Sequence, residues 1–219
     1  MKTTLFSTTS ILSWLLALNA LTGIAGTFKD NFNDGDDKGW KRFGQGTWKV
    51  VNGEYKMTSK VGVSGSSWGD VKWKNYTVEA TVRVIKANYI GVCVRQLDPN
   101  NWYGWAINVE DKAMSWISQF AGNLEEITKN PIDLDIAKKI YFKSYCSRRK
   151  FEGYVDGQLI REWSDNRFKQ EAVSMAFCCD ASKVVFDDFV ISRNEVPNSE
   201  LAVSHQKKLT INWAKIKGN

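Results

Sequence analysis

Glu79, Arg83, Tyr89, Arg95, Trp102 and Asn108 are the side chains best suited to chemistry, and period-two alternation offers a way to gather them. Successive residues of a β-strand point to opposite faces. If Val78, Ala80, Val82 and Val84 pack inward, Glu79, Thr81 and Arg83 point outward. If Ile90, Val92 and Val94 also pack inward, Tyr89 and Arg95 join that surface, followed by Trp102 and Asn108. A flat ring beside a carboxylate, a guanidinium and an amide is the set that a polyhydroxylated ligand needs. The ring covers its C–H surface, and the polar groups bond its hydroxyls in pairs. Trp68 and Trp73, flanking Gly69-Asp70 in a Ser/Gly-rich stretch, form a second platform on a rim loop. Trp105, Ile107 and Val109 fall on the side opposite Trp102 and, with Trp116, are expected in the core. The alternative for Glu79 and the arginines is a cross-strand ion pair on a solvated face, contributing less than about 1 kcal/mol.

Strands must position these residues. Thr27 to Phe32 and Thr47 to Val51 alternate, and Asn52-Gly53 turns the chain into Glu54 to Thr58. Asn-Gly between alternating runs is a hairpin signal because both central residues need positive φ. A second hairpin joins Phe151–Val155 to Gln158–Trp163 through Asp156-Gly157. Further runs cover Val78–Val84, Tyr89–Arg95, Trp102–Glu110, Ala113–Phe120, Lys139–Ser147, Ala172–Cys179 and Lys183–Ser192. About a dozen short strands without a long helix predict an all-β protein, a sandwich or jelly roll.

The ends differ in kind. Lys2, the apolar run Ile11–Leu18 and the small residues Gly23, Ala25 and Gly26 read as a signal peptide over residues 1–25, with Gly23-Ile24-Ala25 as the cleavage context. Ser10, Ser13, Asn19 and Thr22 interrupt the run, which a membrane anchor of roughly 20 apolar residues would not tolerate. A secreted domain over 26–194, extracellular or periplasmic, is therefore expected, with no membrane span. Residues 195–219 form a basic tail in which Leu209, Trp213 and Ile216 have helical spacing.

Of the formal charge of +6, half sits on Lys2 and the tail. The body shows no concentrated basic stripe, which argues against nucleic acid as a partner. An oxidising compartment permits disulfides among Cys93, Cys146, Cys178 and Cys179, and buried thiols are the alternative. Adjacent Cys178 and Cys179 face opposite ways on a strand and do not pair with each other.

Four phrases stand in order along the chain: Phe28-Lys29-Asp30-Asn31-Phe32-Asn33-Asp34-Gly35 with Gly39-Trp40, then Gly91-Val92-Cys93-Val94-Arg95 running into Asp98-Pro99-Asn100-Asn101-Trp102-Tyr103, then Tyr154-Val155-Asp156-Gly157 and Phe186-Asp187-Asp188-Phe189. In kind and order they resemble the landmarks of secreted concanavalin A-like jelly-roll domains, including laminin-G-like and family 16 glycosidase-like domains and, more distantly, the thrombospondin C-terminal domain. The resemblance implies a two-sheet antiparallel jelly-roll sandwich with a concave face that often holds sugar. First and last strands commonly lie side by side in such folds, which makes Asp30 and Asp188 candidates for a calcium clip.

Catalysis is hard to assemble, and no catalytic residue is assigned. His205 is the only histidine and lies in the tail. A retaining glycosidase needs two carboxyls roughly 5 to 5.5 Å apart. The Glu-x-Asp-x-Glu phrase of family 16 enzymes is absent, the strand Val78-Glu79-Ala80-Thr81-Val82 carries one acid, and Asp187-Asp188 diverge. The expected function is a non-catalytic module binding a polysaccharide or glycan on the concave face or rim loops. A glycoside-cleaving enzyme and a protein-interaction or matrix module are the alternatives.

Overall fold

The computed structural model describes residues 26–70, 73–167, 173–179 and 181–193, the segment 173–179 by its backbone. The expected leader and tail lie outside the described residues. In chain order the strands are β1 (Gly26–Asp30), β2 (Lys41–Phe43), β3 (Thr47–Val51), β4 (Glu54–Thr58) and β5 (Val63–Trp68). Then come β6 (Tyr76–Lys86), β7 (Tyr89–Asp98), β8 (Asn101–Asn108), β9 (Ala113–Phe120), β10 (Asn123–Glu126) and β11 (Asn130–Pro131). Next are β12 (Lys139–Ser147), β13 (Lys150–Val155), β14 (Gln158–Ser164), β15 (Val173–Cys179) and β16 (Lys183–Arg193). No helix interrupts them among the described residues.

Two eight-stranded antiparallel sheets result. One runs β14-β13-β12-β6-β16-β4-β3, with β1 also pairing β16. The other runs β10-β9-β8-β7-β15-β5-β2, with β11 also pairing β9. They are named below by their central strands, the β6 sheet and the β8 sheet. Both expected hairpins form, with φ of 55° and 72° at Asn52-Gly53 and 48° and 82° at Asp156-Gly157.

The core lies between the sheets, and alternation decides its membership. Tyr76, Val78, Ala80 and Val82 of β6 pack inward with Ile140 and Phe142 of β12 and Phe186 and Ile191 of β16. Ile90, Val92 and Val94 of β7 meet them from the other sheet, with Tyr103, Trp105 and Ile107 of β8 and Met114 and Trp116 of β9. Trp105 and Trp116 are thus core residues, as expected. Burying one such Val, Ile or Phe side chain contributes about 1.5–3 kcal/mol.

Two expectations are corrected. The Tyr76–Lys86 and Tyr89–Asp98 strands follow each other closely, yet they do not pair. β6 lies between β12 and β16, whereas β7 lies between β8 and β15. The intervening Ala87-Asn88 lacks the positive-φ residues of a two-residue hairpin, and the chain crosses from one sheet to the other. Glu79 and Arg83 therefore cannot share a face with Tyr89, Arg95, Trp102 and Asn108.

The Ser/Gly-rich residues up to Trp68 form the strand β5 rather than a loop, and Gly69, Asp70 and Trp73 lie beyond it outside any strand. The small residues of β5 permit close packing: Ser66 Oγ lies 2.7 Å from Tyr55 Oη, and a Cβ on Gly46 would come within 2.7 Å of the Ser64 Cβ.

Cys146 is a buried free thiol whose pKa burial pushes up. Cys93 belongs to a different buried cluster, on the far side of the β8 sheet, so the two do not pair. The side chains of Cys178 and Cys179 lie outside the described residues.

One contact fastens the two layers near the β13–β14 hairpin. The Trp105 indole lies over Gly153, where a Cβ would come within 2.4 Å of the ring, and its N–H donates to the Tyr154 carbonyl at 3.0 Å. Gly153→Ala is expected to displace the ring and cost about 1–3 kcal/mol, read as a fall of several degrees in the thermal unfolding midpoint. Gly157→Ala, at a turn position with open space around it, strains only its own φ and provides the comparison.

Candidate functional site

The outward face of the β6 sheet collects more exposed chemistry than any single strand foretold. Register places Thr77 beside Tyr145, Glu79 beside Lys143, Thr81 beside Tyr141 and Arg83 beside Lys139. On the next strand Tyr154 stands beside Lys143, and Glu152 beside Tyr145. Tyr141, Tyr145 and Tyr154 are all half-buried, so each ring keeps part of its surface in water. Tyr141 and Tyr145 are four residues apart on one strand, which sets them about 13 Å apart.

Charged groups hold this face in register. Lys143 Nζ lies 4.0 Å from Glu79 Oε1 and 5.6 Å from the centre of the Tyr154 ring. Tyr154 donates its hydroxyl to Glu152 Oε2 at 2.5 Å, and this bond to a carboxylate pushes its pKa up to about 12. Lys150 bridges Glu152 at 2.8 Å and Glu162 at 2.9 Å. The ammonium and the tyrosine hydroxyl hold Glu152 below the usual carboxylate range, so it is no general acid near neutrality. Arg83 forks onto Glu54 with contacts of 2.9 and 3.0 Å. Exposed pairs of this kind contribute about 0–1 kcal/mol each and act mainly to fix geometry.

The other predicted residues go elsewhere. Trp102 does lie on the side opposite Trp105, but its ring is buried with Cys93, Ala106 and Ile117 rather than presented to solvent. Its indole N–H donates to the Pro99 carbonyl at 3.1 Å. Tyr89 and Asn108 do come together: Asn108 Nδ2 donates to Tyr89 Oη at 2.7 Å and to Asp111 Oδ2 at 2.6 Å. Because Asn108 Oδ1 also accepts the Asp111 N–H, the amide is engaged in the turn after β8.

Arg95 has left the outward face. The β7–β8 ladder shifts register beyond Val94, and Arg95 takes a φ of 53°. Such an irregularity re-aims a side chain. The guanidinium lies 5.0 Å from the centre of the Phe151 ring and donates to the Arg148 carbonyl, across to the other sheet.

The rim tryptophans are packed as well. Trp68 stacks on Phe28 at 3.5 Å between centroids, and Trp73 lies beneath Arg193, whose guanidinium is 4.0 Å from its ring centre. A 92 % buried Trp73 offers no exposed platform.

The terminal strands are neighbours as expected, with Asp30 opposite Phe189. Asp30 spends Oδ1 on the Phe32 N–H at 2.9 Å and Oδ2 on the Trp40 indole at 2.8 Å, and burial raises its pKa. Asp188 is exposed at a bulge of β16, where it accepts the Thr81 hydroxyl. Among the described residues no group of three or more His, Cys, Asp or Glu side chains converges on one point.

Sequence reasoning missed Tyr141, Lys143, Tyr145 and Tyr154. Tyr141-x-Lys143-x-Tyr145 does carry the period-two signal, and Tyr154 lies two residues before the Asp156-Gly157 turn, whose register fixes its face.

No protein-family model matches the sequence, and no curated protein does. Solved structures do. The chain superposes on the carbohydrate-binding module CBM66 from Bacillus subtilis with a TM-score of 0.61 at 18 % identity, covering 69 % of this chain and 93 % of that one. The GH43 BlXynB protein of Bacillus licheniformis gives 0.57 at 12 % identity, with 74 % of this chain matched to only 38 % of that one. SCLam, a non-specific endo-β-1,3(4)-glucanase of family GH16, gives 0.56 at 10 % identity, covering 77 % and 90 %. The class is therefore defined by fold: a jelly-roll β-sandwich of the architecture shared by these carbohydrate-binding and glycosidase domains.

Acid sensitivity follows from the Arg83–Glu54 fork, which holds the Glu54 pKa below its ordinary value of 4.5. A carboxylate depressed in the folded state contributes stability above its unfolded pKa and loses it as pH falls through the folded value. Arg83→Met should therefore lower stability near neutral pH by less than about 1 kcal/mol. Urea unfolding should show the gap to the parent closing as pH drops below 4.5.

Proposed function

We propose that this protein is an exported, non-catalytic glycan-binding module that receives a sugar chain across the outward face of the β6 sheet. The observation that carries the reading is the array of Tyr141, Tyr145 and Tyr154, half-buried on two adjacent strands with Glu79, Lys143, Thr77 and Thr81 among them. Rings fixed on a sheet give a flat platform for the C–H faces of successive sugars, and the interspersed groups give donors and acceptors for their hydroxyls. Fold likeness to a carbohydrate-binding module is consistent with this reading but fixes no site.

Absence of hydrolysis rests on the carboxyls. Glu152, the acid bonded to Tyr154, is stabilised in its ionised form, and Asp30, whose pKa is raised, is consumed by the Phe32 N–H and the Trp40 indole. Neither forms the raised and ionised pair that acid–base cleavage needs. Export follows from reading residues 1–25 as a leader.

A glycan array followed by calorimetry tests the reading. Each stacked ring contributes roughly 0.5–1.5 kcal/mol, so Tyr141→Ala and Tyr154→Ala are each expected to weaken binding about fivefold with little change in thermal stability. Trp102→Ala should instead lower stability. Unchanged affinity in both tyrosine variants, silence across the array, or release of reducing ends from a bound oligosaccharide would overturn the proposal.

A further inference from the structure

We infer that the turn between β12 and β13 is an anion subsite of this face, one that takes the carboxylate of a uronic-acid residue in the bound polysaccharide. The inference rests on the glycan-binding reading above and names the class of glycan. A shallow pocket of about 560 Å³ opens at this turn, lined by Tyr145, Ser147, Arg148, Arg149, Lys150 and Ser164, with Glu152 at its wall. It continues the tyrosine array, since Tyr145 belongs to both.

Two of its cations are uncommitted. Arg148 and Arg149 are exposed, and among the described residues their guanidinium groups enter no hydrogen bond or ion pair. The neighbouring charges differ: Lys150 is held between Glu152 and Glu162, a single ammonium against two carboxylates. Other arginines are likewise engaged, Arg83 with Glu54 and Arg167 with Asp165 and Glu125.

The backbone beneath the two arginines is fixed from several directions. Asn75 Oδ1 accepts both the Arg148 N–H and the Ser147 hydroxyl at 3.0 Å. The buried Arg95 donates to the Arg148 carbonyl, and the Asp165 N–H donates to the Arg149 carbonyl at 3.0 Å. Arg148 itself takes the left-handed φ of 51°. The fixed backbone presents both arginines from a set position, so a ligand has only their side chains left to order.

Chemistry selects the ligand. A guanidinium fork matches a planar carboxylate through two parallel N–H···O bonds. The Tyr145 ring offers a face for the sugar that bears the carboxylate, and the Ser164 hydroxyl offers a partner for its hydroxyls. Arg148, Arg149 and Lys150 against Glu152 and Glu162 leave one net positive charge at the pocket, so the field is local. It suits one carboxylate per sugar better than a densely charged polyanion.

Calorimetry with galacturonate, glucuronate and mannuronate oligomers, each paired with its carboxyl-reduced neutral counterpart, tests the subsite. The parent protein is expected to bind at least one acidic oligomer tenfold or more tightly than its neutral pair, a preference that shrinks as salt is raised. Arg148→Gln with Arg149→Gln should abolish the preference while leaving thermal unfolding and the affinity for the neutral oligomer unchanged. Replacing both by lysine should restore part of it, since charge returns without the fork. Binding of neutral glycans with no acidic preference, or a preference that survives the glutamine pair, overturns the subsite alone. Failure to bind any glycan, acidic or neutral, overturns the glycan-binding reading together with it.

Discussion

Much of the structure depends on the Trp105 indole lying flat over Gly153. The ring comes from the β8 sheet and the glycine from the β6 sheet, and the indole N–H fastens the contact by bonding the Tyr154 carbonyl. A side chain larger than hydrogen at position 153 would separate the layers at this point. Because the Tyr154 backbone is pinned from inside, its side chain leaves from the opposite face at a fixed depth. One apolar contact thus sets both the spacing of the sandwich and the placement of a ring on its surface. Around it Trp116, Phe151 and Trp163 pack with centroids 4.9 to 5.9 Å apart, giving that end of the core an aromatic filling.

Arg95 is the second link between the layers, and it works by electrostatics. Removing a guanidinium from water costs several kcal/mol unless its donors find acceptors. Here the charge faces the Phe151 ring and an N–H meets the Arg148 carbonyl, while the Arg95 backbone N–H donates to the buried Tyr76 hydroxyl at 2.6 Å. A cation bonded in this way constrains what it touches, and it touches the turn that carries Arg148 and Arg149. The positive φ at Arg95 is the local strain that makes the connection geometrically possible.

Period-two patterning foretold most strands and the inward rows of β6, β7 and β8, the Asn-Gly and Asp-Gly turns foretold both hairpins, and the resemblance to jelly-roll domains implied the adjacency of the first and last strands. It failed where the answer depended on pairing. Alternation gives the two faces of each strand but not which strands are neighbours, so Glu79 and Tyr89 were placed on one surface although their strands belong to different sheets. Arg95 was assigned by parity, and a register shift with positive φ reverses parity locally. Trp68 and Trp73 were read as exposed because glycine and serine surround them. The same small residues allow β5 to pack closely, and the rings fill the space left over. Tyr141 and Tyr154 went unnoticed because a tyrosine on a strand is unremarkable until its cross-strand neighbours are known.

Trp48, Trp102, Trp105 and Trp116 are fully buried, as are Tyr55, Tyr76 and Tyr103, whereas the half-buried rings on the β6-sheet face are all tyrosines. Indole gains most by removing its large area from water. Phenol keeps a hydroxyl that must stay hydrated or bonded, as Tyr154 is to Glu152. A tyrosine platform has a modest yield: three rings at roughly 0.5–1.5 kcal/mol each, set against the cost of immobilising a flexible chain, correspond to about millimolar affinity or weaker. Weak binding of that order is useful when many sites act along one polymer, since linked contacts multiply in effective concentration. A charged subsite at one end of the platform would add what stacking lacks, because rings grip any sugar face while a guanidinium fork distinguishes a carboxylate from a hydroxymethyl group.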